Sequence, residues 1–298
     1  MTIKKIYIAG AGGMLGNSFY KVFKDDYDLK LTDKDVNENW ISYLDFRKQD
    51  DYINDVKNFN PDYLFHLGAY TDLEYCELNS EDAYLTNTES VTTAVKIANE
   101  LKIPLLYIST AGIFDGSKDC FDESDAPNPL GIYARSKYLG EVYVQEHAND
   151  YIITRAGWMM GGGKRKDKKF IFKLIKQIES GLKELNIVND RDGTPTYTLD
   201  FARNVKLILE SNHRGLFNLV CSGQTSRLEV AKEVLKILNL DDQIKLSSVD
   251  SSFFDKEYFA ERPTSERLIN KRLNELNLNI MRDWKIALKD YLDSEYLN

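Results

Sequence analysis

The chain has 298 residues, 43% hydrophobic and 29% charged, enough apolar material for one large α/β domain plus a smaller lobe. Its net charge of −8 and pI near 5.1 argue against nucleic acid as a partner, since that affinity rests on neutralising phosphates. No apolar run approaches the roughly 18 to 20 residues needed to cross a bilayer, and the start leads into a strand rather than a signal peptide, so a cytoplasmic protein with no membrane partner is expected.

The three cysteines, Cys76, Cys120 and Cys221, are odd in number and widely spaced, which fits reduced thiols. The three histidines, His66, His147 and His213, show no metal-ligand spacing, and no metal is expected. In chain order, short apolar runs alternate with three-to-four-spaced patterns, the mark of a parallel sheet with crossover helices. The fold class expected is therefore α/β, a Rossmann-like doubly wound parallel sheet with a smaller C-terminal substrate-binding lobe.

Ile3 to Ala9 reads as the first strand, followed at once by Gly10-Ala-Gly-Gly13-Met14-Leu15-Gly16 and a helix over Gly13 to Phe23. Glycines at that spacing make a tight strand-to-helix turn, let backbone touch a pyrophosphate and aim a helix N-terminus at it. A strand at Leu29 to Thr32 leads to Asp33, placed to bind adenosine ribose hydroxyls as in NAD; the adjacent Lys34 suits the 2′-phosphate of NADP, so both cofactors stay open. Asp45 and Phe46 are candidates for the adenine edge, and equally for a capping aspartate and a core aromatic.

A helix over Lys48 to Asn58, a strand at Tyr63 to Ala69 and a helix over Glu81 to Leu101 come next. The strand Leu105 to Thr110 ends in hydroxyls at the sheet's carboxyl edge, where ligands bind in such folds. Thr110, with Ser109 behind it, is the candidate to fix a substrate carbonyl.

A helix over Gly131 to Glu146 carries Tyr133-Ala-Arg-Ser-Lys137, a phenol and an ammonium on one face. A phenol of ordinary pKa near 10 is a weak proton donor, and a neighbouring lysine cation is expected to lower it as well as hold the nicotinamide ribose. Tyr20 and Lys24 share the spacing but follow the glycine turn, where the phenol should pack or face solvent. The last strand of this half is Tyr151 to Ala156.

Beyond Gly157 come the basic loop Lys164-Arg-Lys-Asp-Lys168-Lys169, a helix over Phe170 to Ser180, a strand at Leu185 to Val188, a helix over Leu199 to Glu210, a strand at Leu216 to Val220 and several short helices. We expect an NAD(P)-binding Rossmann unit over 1–158, rejoined by 196–220, and a substrate-binding lobe formed by 159–195 and 221–298. Lys164 and Lys168 are candidates for a substrate diphosphate, against the plain reading of a solvated charge run; Arg262 is another.

These features together resemble the extended short-chain dehydrogenase/reductase family and, within it, the dTDP-4-dehydrorhamnose reductases. The likeness includes His66-Leu67-Gly68-Ala69-Tyr70-Thr71, Leu85-Thr-Asn87, Tyr107-Ile-Ser-Thr110, Tyr133 with Lys137, Arg155-Ala-Gly-Trp158, Asn189-Asp-Arg-Asp-Gly-Thr-Pro-Thr196 and Arg262-Pro-Thr-Ser-Glu-Arg-Leu268. The resemblance implies NAD(P)H-dependent reduction of a keto group on a nucleotide-linked deoxysugar, in deoxysugar and polysaccharide biosynthesis. It places Gly10, Gly13 and Gly16 at the pyrophosphate, with Met14, Leu15, Leu67, Gly68 and Ala69 beside the cofactor. Thr110, Tyr133 and Lys137 fall in catalysis, Asn87 on a proton-relaying water, and Tyr70, Thr71 and Trp158 near the sugar; a homodimer is the implied partner state.

Two departures stand out. Where these reductases carry Asp-Tyr after the hydroxyl pair, this chain has Ala111-Gly112; where some of them place a metal-binding glutamate, it has Ser18. Relatives by fold with other activities include nucleotide-sugar epimerases and dehydratases and the regulatory beta subunit of methionine adenosyltransferase. Dehydratases use an acidic pair where Ala111-Gly112 stands.

Overall fold

The computed structural model describes residues 3–297; residues 1, 2 and 298, the outer ends of the two expected units, lie outside the described residues. Seven parallel strands form the central sheet: β1 (Lys5–Ala9), β2 (Asp28–Asp33), β3 (Ile41–Tyr43), β4 (Tyr63–His66), β5 (Leu105–Thr110), β6 (Tyr151–Ala156) and, from the second half, β11 (Gly215–Leu219). Their spatial order is β11-β6-β5-β4-β1-β2-β3, so the direction of winding reverses between β1 and β4. A ligand crevice forms at such a reversal, outside the carboxyl ends of the strands.

Helices cover both faces, which is why the inner strands read as apolar runs rather than alternating patterns. One face packs on α2 (Gln49–Phe59), α5 (Ser90–Leu101) and α6 (Ile132–His147), around Tyr7, Tyr52, Leu64, Ala94, Tyr107 and Ile153. The other packs on α1 (Met14–Phe23) and α9 (Thr198–Glu210), where Phe19, Phe23, Phe65, Phe201 and Val205 are all but fully buried. That second core runs on into the C-terminal lobe through Val234, Trp284, Leu288 and Tyr291.

The lobe itself is built on short pairings. β7 (Trp158–Met160) lies parallel to β10 (Pro195–Tyr197), β8 (Glu184–Val188) parallel to β13 (Lys245–Val249), and β9 (Asp192–Gly193) between β12 (Thr225–Ser226) and β14 (Ser265–Glu266). Helices α8 (Phe170–Glu179), α10 (Arg227–Ile237) and α12 (Trp284–Glu295) back these ribbons, while α3 (Leu73–Leu78), α4 (Ser80–Tyr84), α7 (Gly163–Lys166) and α11 (Lys271–Glu275) are single turns or little more. Among the described residues, no helix is long and apolar enough to cross a membrane, and no cluster of three His, Cys, Asp or Glu side chains could hold a metal ion.

Two expected elements end or break early, and one edge strand is additional. The strand from Tyr63 stops at His66, because Gly68 is wedged between Gly10 and the Phe46 ring and leaves the sheet as a loop. The helix expected over Glu81 to Leu101 is broken by a π-turn, Leu85–Glu89. Edge strand β3 was not expected.

Candidate active site

A cleft of about 860 Å³ opens along the carboxyl edge of the sheet, between it and the lobe. Its floor begins at the glycine turn. Gly10 has φ +82, and a Cβ there would come 2.2 Å from the Gly68 nitrogen, so only glycine fits. Gly13 is the N-cap of α1 and supplies no side-chain cap; a Cβ there would meet no protein atom within 4 Å. The first turn of α1 thus presents unpaired amide N–H groups to open space, which suits a dinucleotide pyrophosphate. Met14 and Leu15 also line the cleft, whereas Gly16 does not: it packs α1 onto the turn, with a Cβ position 2.1 Å from the Ala11 carbonyl oxygen.

At the adenosine end, Asp33 braces the turn with both oxygens, Oδ2 accepting from Gly12 N and Oδ1 from Asp35 N, each at 2.9 Å. Lys34 donates to the Tyr70 hydroxyl at 2.7 Å. Arg47, which sequence reasoning missed, forks onto Asp45 at 2.8 and 2.6 Å and holds that carboxyl below the usual carboxylate range. Phe46, Leu67, Gly68 and Ala69 complete this wall. Lys34 and Arg47 meet at the Tyr70 hydroxyl, at 2.7 and 3.4 Å.

The reactive end is set by α6. Its first amide, Ile132 N, donates to Glu77 Oε1 at 2.6 Å, and further along Glu141 forks with Arg155 of β6 in a buried ion pair. Tyr107 of β5 donates to the Lys137 carbonyl oxygen at 2.9 Å. Tyr133 and Lys137 both line the cleft, with Thr110 at the end of β5. Thr110 Oγ1 accepts from Gly112 N at 3.1 Å, and its own hydroxyl faces the Tyr133 phenol.

The expected lowering of the Tyr133 pKa by Lys137 is corrected by the structure. Burial pushes the phenol up to about 12, the charge of Glu266 adds to the rise, and the Thr110 hydroxyl works against it. Lys137 itself is pushed down to about 7, because burial disfavours its cation more than Glu141 restores it. Its ammonium lies 4.3 Å from the Tyr107 ring centroid. The look-alike pair behaves as expected: Tyr20 stacks on Trp40 at 4.3 Å, away from the cleft.

Asn87 is fully buried in the π-turn, where it accepts from Tyr70 N at 2.8 Å and donates to Tyr70 O and Ser136 Oγ at 3.0 Å each. Both its side-chain hydrogens are thus used in tying the Tyr70 loop to α6. His66, between Tyr52 and Ser90, is a neutral core histidine with its pKa pushed down to about 3 by burial.

On the lobe side, Lys168 lines the cleft while Lys164 points away from it, paired with Glu179 on the surface at 2.6 Å. Arg262 lines the cleft too, but its guanidinium is forked onto Glu74 at 2.7 and 2.9 Å. Thr71 accepts twice from Lys169. Trp158 donates from Nε1 to Glu266 at 2.7 Å, and Arg227 stacks 3.5 Å from the Trp158 ring centroid. Arg227 carries no local sequence signal and Glu266, though inside the quoted 262–268 stretch, shows no role there, since each is defined by a partner about 70 to 110 positions away.

A parallel Rossmann sheet whose open helix N-terminus, hydroxyl-ended strand and tyrosine–lysine helix share one cleft defines an extended short-chain dehydrogenase/reductase. The chain belongs to the family described as RmlD substrate binding domain, whose model matches residues 4–297. It is 28% identical to the spore coat polysaccharide biosynthesis protein SpsK of Bacillus subtilis, covering 97% of this chain and 96% of that one. It is 26% identical to methionine adenosyltransferase 2 subunit beta of Danio rerio, over 97% and 90%. The dTDP-4-dehydrorhamnose reductase of Bacillus anthracis, solved in complex with NADP, superposes with a TM-score of 0.89 at 25% identity, covering 98% of this chain and all of that one.

Proposed function

We infer that the protein is an NAD(P)H-dependent reductase of a keto group, C4 in our reading, on a nucleotide-linked deoxysugar. The observation that carries this is the convergence of Thr110, Tyr133 and Lys137 in the cleft that starts at the uncapped N-terminus of α1. A nicotinamide dinucleotide, when bound, supplies hydride to the carbonyl carbon. Thr110 donates a hydrogen bond to the carbonyl oxygen and so fixes the carbonyl; Tyr133, raised to about 12 and therefore protonated at neutral pH, gives the oxygen its proton. Lys137 anchors the ribose.

Asp33, Asp45 and Phe46 are assigned to the adenosine end, where Lys34 and Arg47 favour NADP. Tyr70, Thr71 and Trp158 are assigned to the sugar, and Lys168 with Arg227 to the diphosphate. Arg262 is read as a clasp. A cytoplasmic homodimer completes the proposal, testable by cell fractionation and sedimentation.

The test is a panel of nucleotide-linked 4-keto sugars with NADH and NADPH, following loss of reduced cofactor. Stoichiometric consumption is expected, and Tyr133→Phe should lower turnover about 100- to 10,000-fold, the span of general acids. Turnover without net cofactor loss would mark an epimerase or dehydratase. Tight cofactor binding without turnover would support a regulatory subunit, a reading favoured by the Danio rerio relative and by the absent side chain at Gly112.

A further inference from the structure

The space left by the missing side chain at Gly112 is taken by a carboxylate from the far end of the chain. A Cβ at Gly112 would lie 3.3 Å from Glu266 Oε1 and 3.5 Å from Thr110 Oγ1, so these two oxygens converge on one point of the cleft. Glu266 is fixed there. Its strand β14 is paired with β9, its Oε2 accepts from Trp158 Nε1 at 2.7 Å, and the indole is packed so closely on Gly193 that a Cβ there would meet it at 2.1 Å.

Among the described residues, Glu266 Oε1 accepts no hydrogen bond. The oxygen opens to the cleft, so a ligand that displaces its water must supply a donor or leave the carboxylate unpaired. Its charge is already opposed, since the Arg227 guanidinium on the Trp158 ring feels the carboxylate directly. What the oxygen lacks is a neutral donor rather than a second cation.

We propose that Glu266 Oε1 selects the sugar, by accepting a hydrogen bond from a free hydroxyl on the carbon next to the carbonyl held by Thr110. The proposal rests on the reductase reading for where the carbonyl sits. In a 4-keto hexose the hydroxyl concerned is on C3. A deoxy carbon there leaves Oε1 unpartnered, and an alkylated oxygen brings no donor. Gly112 is part of the device, because any side chain at that position crowds the point where Thr110 and Glu266 meet.

The experiment uses dTDP-linked 4-keto-6-deoxyhexoses with a 3-hydroxyl, a 3-deoxy or a 3-amino carbon. Binding is measured by calorimetry on the enzyme saturated with oxidised cofactor, and turnover separately with reduced cofactor. The wild type should bind the 3-hydroxy sugar at least about tenfold more tightly than the 3-deoxy sugar, a lost hydrogen bond to a charged group being worth that much. In Glu266→Ala the ratio should fall to within about twofold of unity.

Gly112→Ala, which crowds the same point and leaves the Trp158 contact in place, should lower the ratio too and covers the case in which the first variant does not fold. A purely structural role for Glu266 would weaken both sugars alike and leave the ratio unchanged, which overturns the proposal; so does absence of binding by any of the sugars. Tighter binding of the 3-amino sugar overturns the choice of a hydroxyl. A ratio that collapses as expected without any turnover sinks the reductase reading alone.

Discussion

Burial acts on Tyr133 and Lys137 in opposite directions for one physical reason: each is driven towards its neutral form. The tyrosine consequently stays protonated at neutral pH, while the lysine is stored at a cost to the fold. With a folded pKa near 7 against an ordinary 10.5, Lys137 binds fewer protons folded than unfolded between those values, so its penalty is full below pH 7 and fades as pH rises towards 10.5. Lys137→Met should therefore raise the melting temperature at pH 7 by about 2 °C or more while lowering reductase activity, and the gain should shrink on titration to pH 10. Calorimetric scans at both pH values check this; an equal loss of stability at both would refute it. That Tyr133 and Lys137 share one helix face was legible because helical spacing is local, although Tyr20 and Lys24 share that spacing without reaching the cleft. The roles of Asn87 and Glu266 were not, because the first depends on Tyr70 and Ser136 and the second on Trp158, partners that only the fold brings near.

The same logic separates the glycines of the turn before α1. Gly10 is required by its own backbone, whereas Gly13 has an extended φ of −80 that any residue adopts and faces only the cleft. Gly13→Val should leave the melting temperature within about 2 °C yet weaken NADPH binding at least about tenfold, as a side chain grows into the pyrophosphate's place. Gly10→Ala should instead destabilise the fold by roughly 1–3 kcal/mol. Melting curves and cofactor titrations on the two variants separate the roles, and similar behaviour of both would refute the assignment. At this scale the sequence was informative wherever a strand is buried on both faces, as in β1, β5 and β6. It was silent for β3, whose Ile41-Ser-Tyr43 is short and exposed at the edge, and for the π-turn, which keeps the apolar spacing of a helix while inserting one residue.

Across the whole molecule, the lobe is joined to the Rossmann unit by a shared core and by polar links that include Arg262 with Glu74 and Lys169 with Thr71. The links span 188 and 98 positions of sequence, so each closes the lobe over the loop that follows β4. If Arg262 is a clasp, its worth lies in the pair: Glu74→Ala and Arg262→Ala should each weaken sugar-nucleotide binding by a similar factor, and the double variant should be no worse than either single one. The coupling energy from such a cycle should be about 1 kcal/mol, as for neighbours that share one interaction. A diphosphate ligand would behave otherwise, since removing Glu74 would free the guanidinium and tighten binding while removing Arg262 weakened it. Opposite signs in the two single variants would return Arg262 to the substrate, and like signs would leave the diphosphate to Lys168 and Arg227.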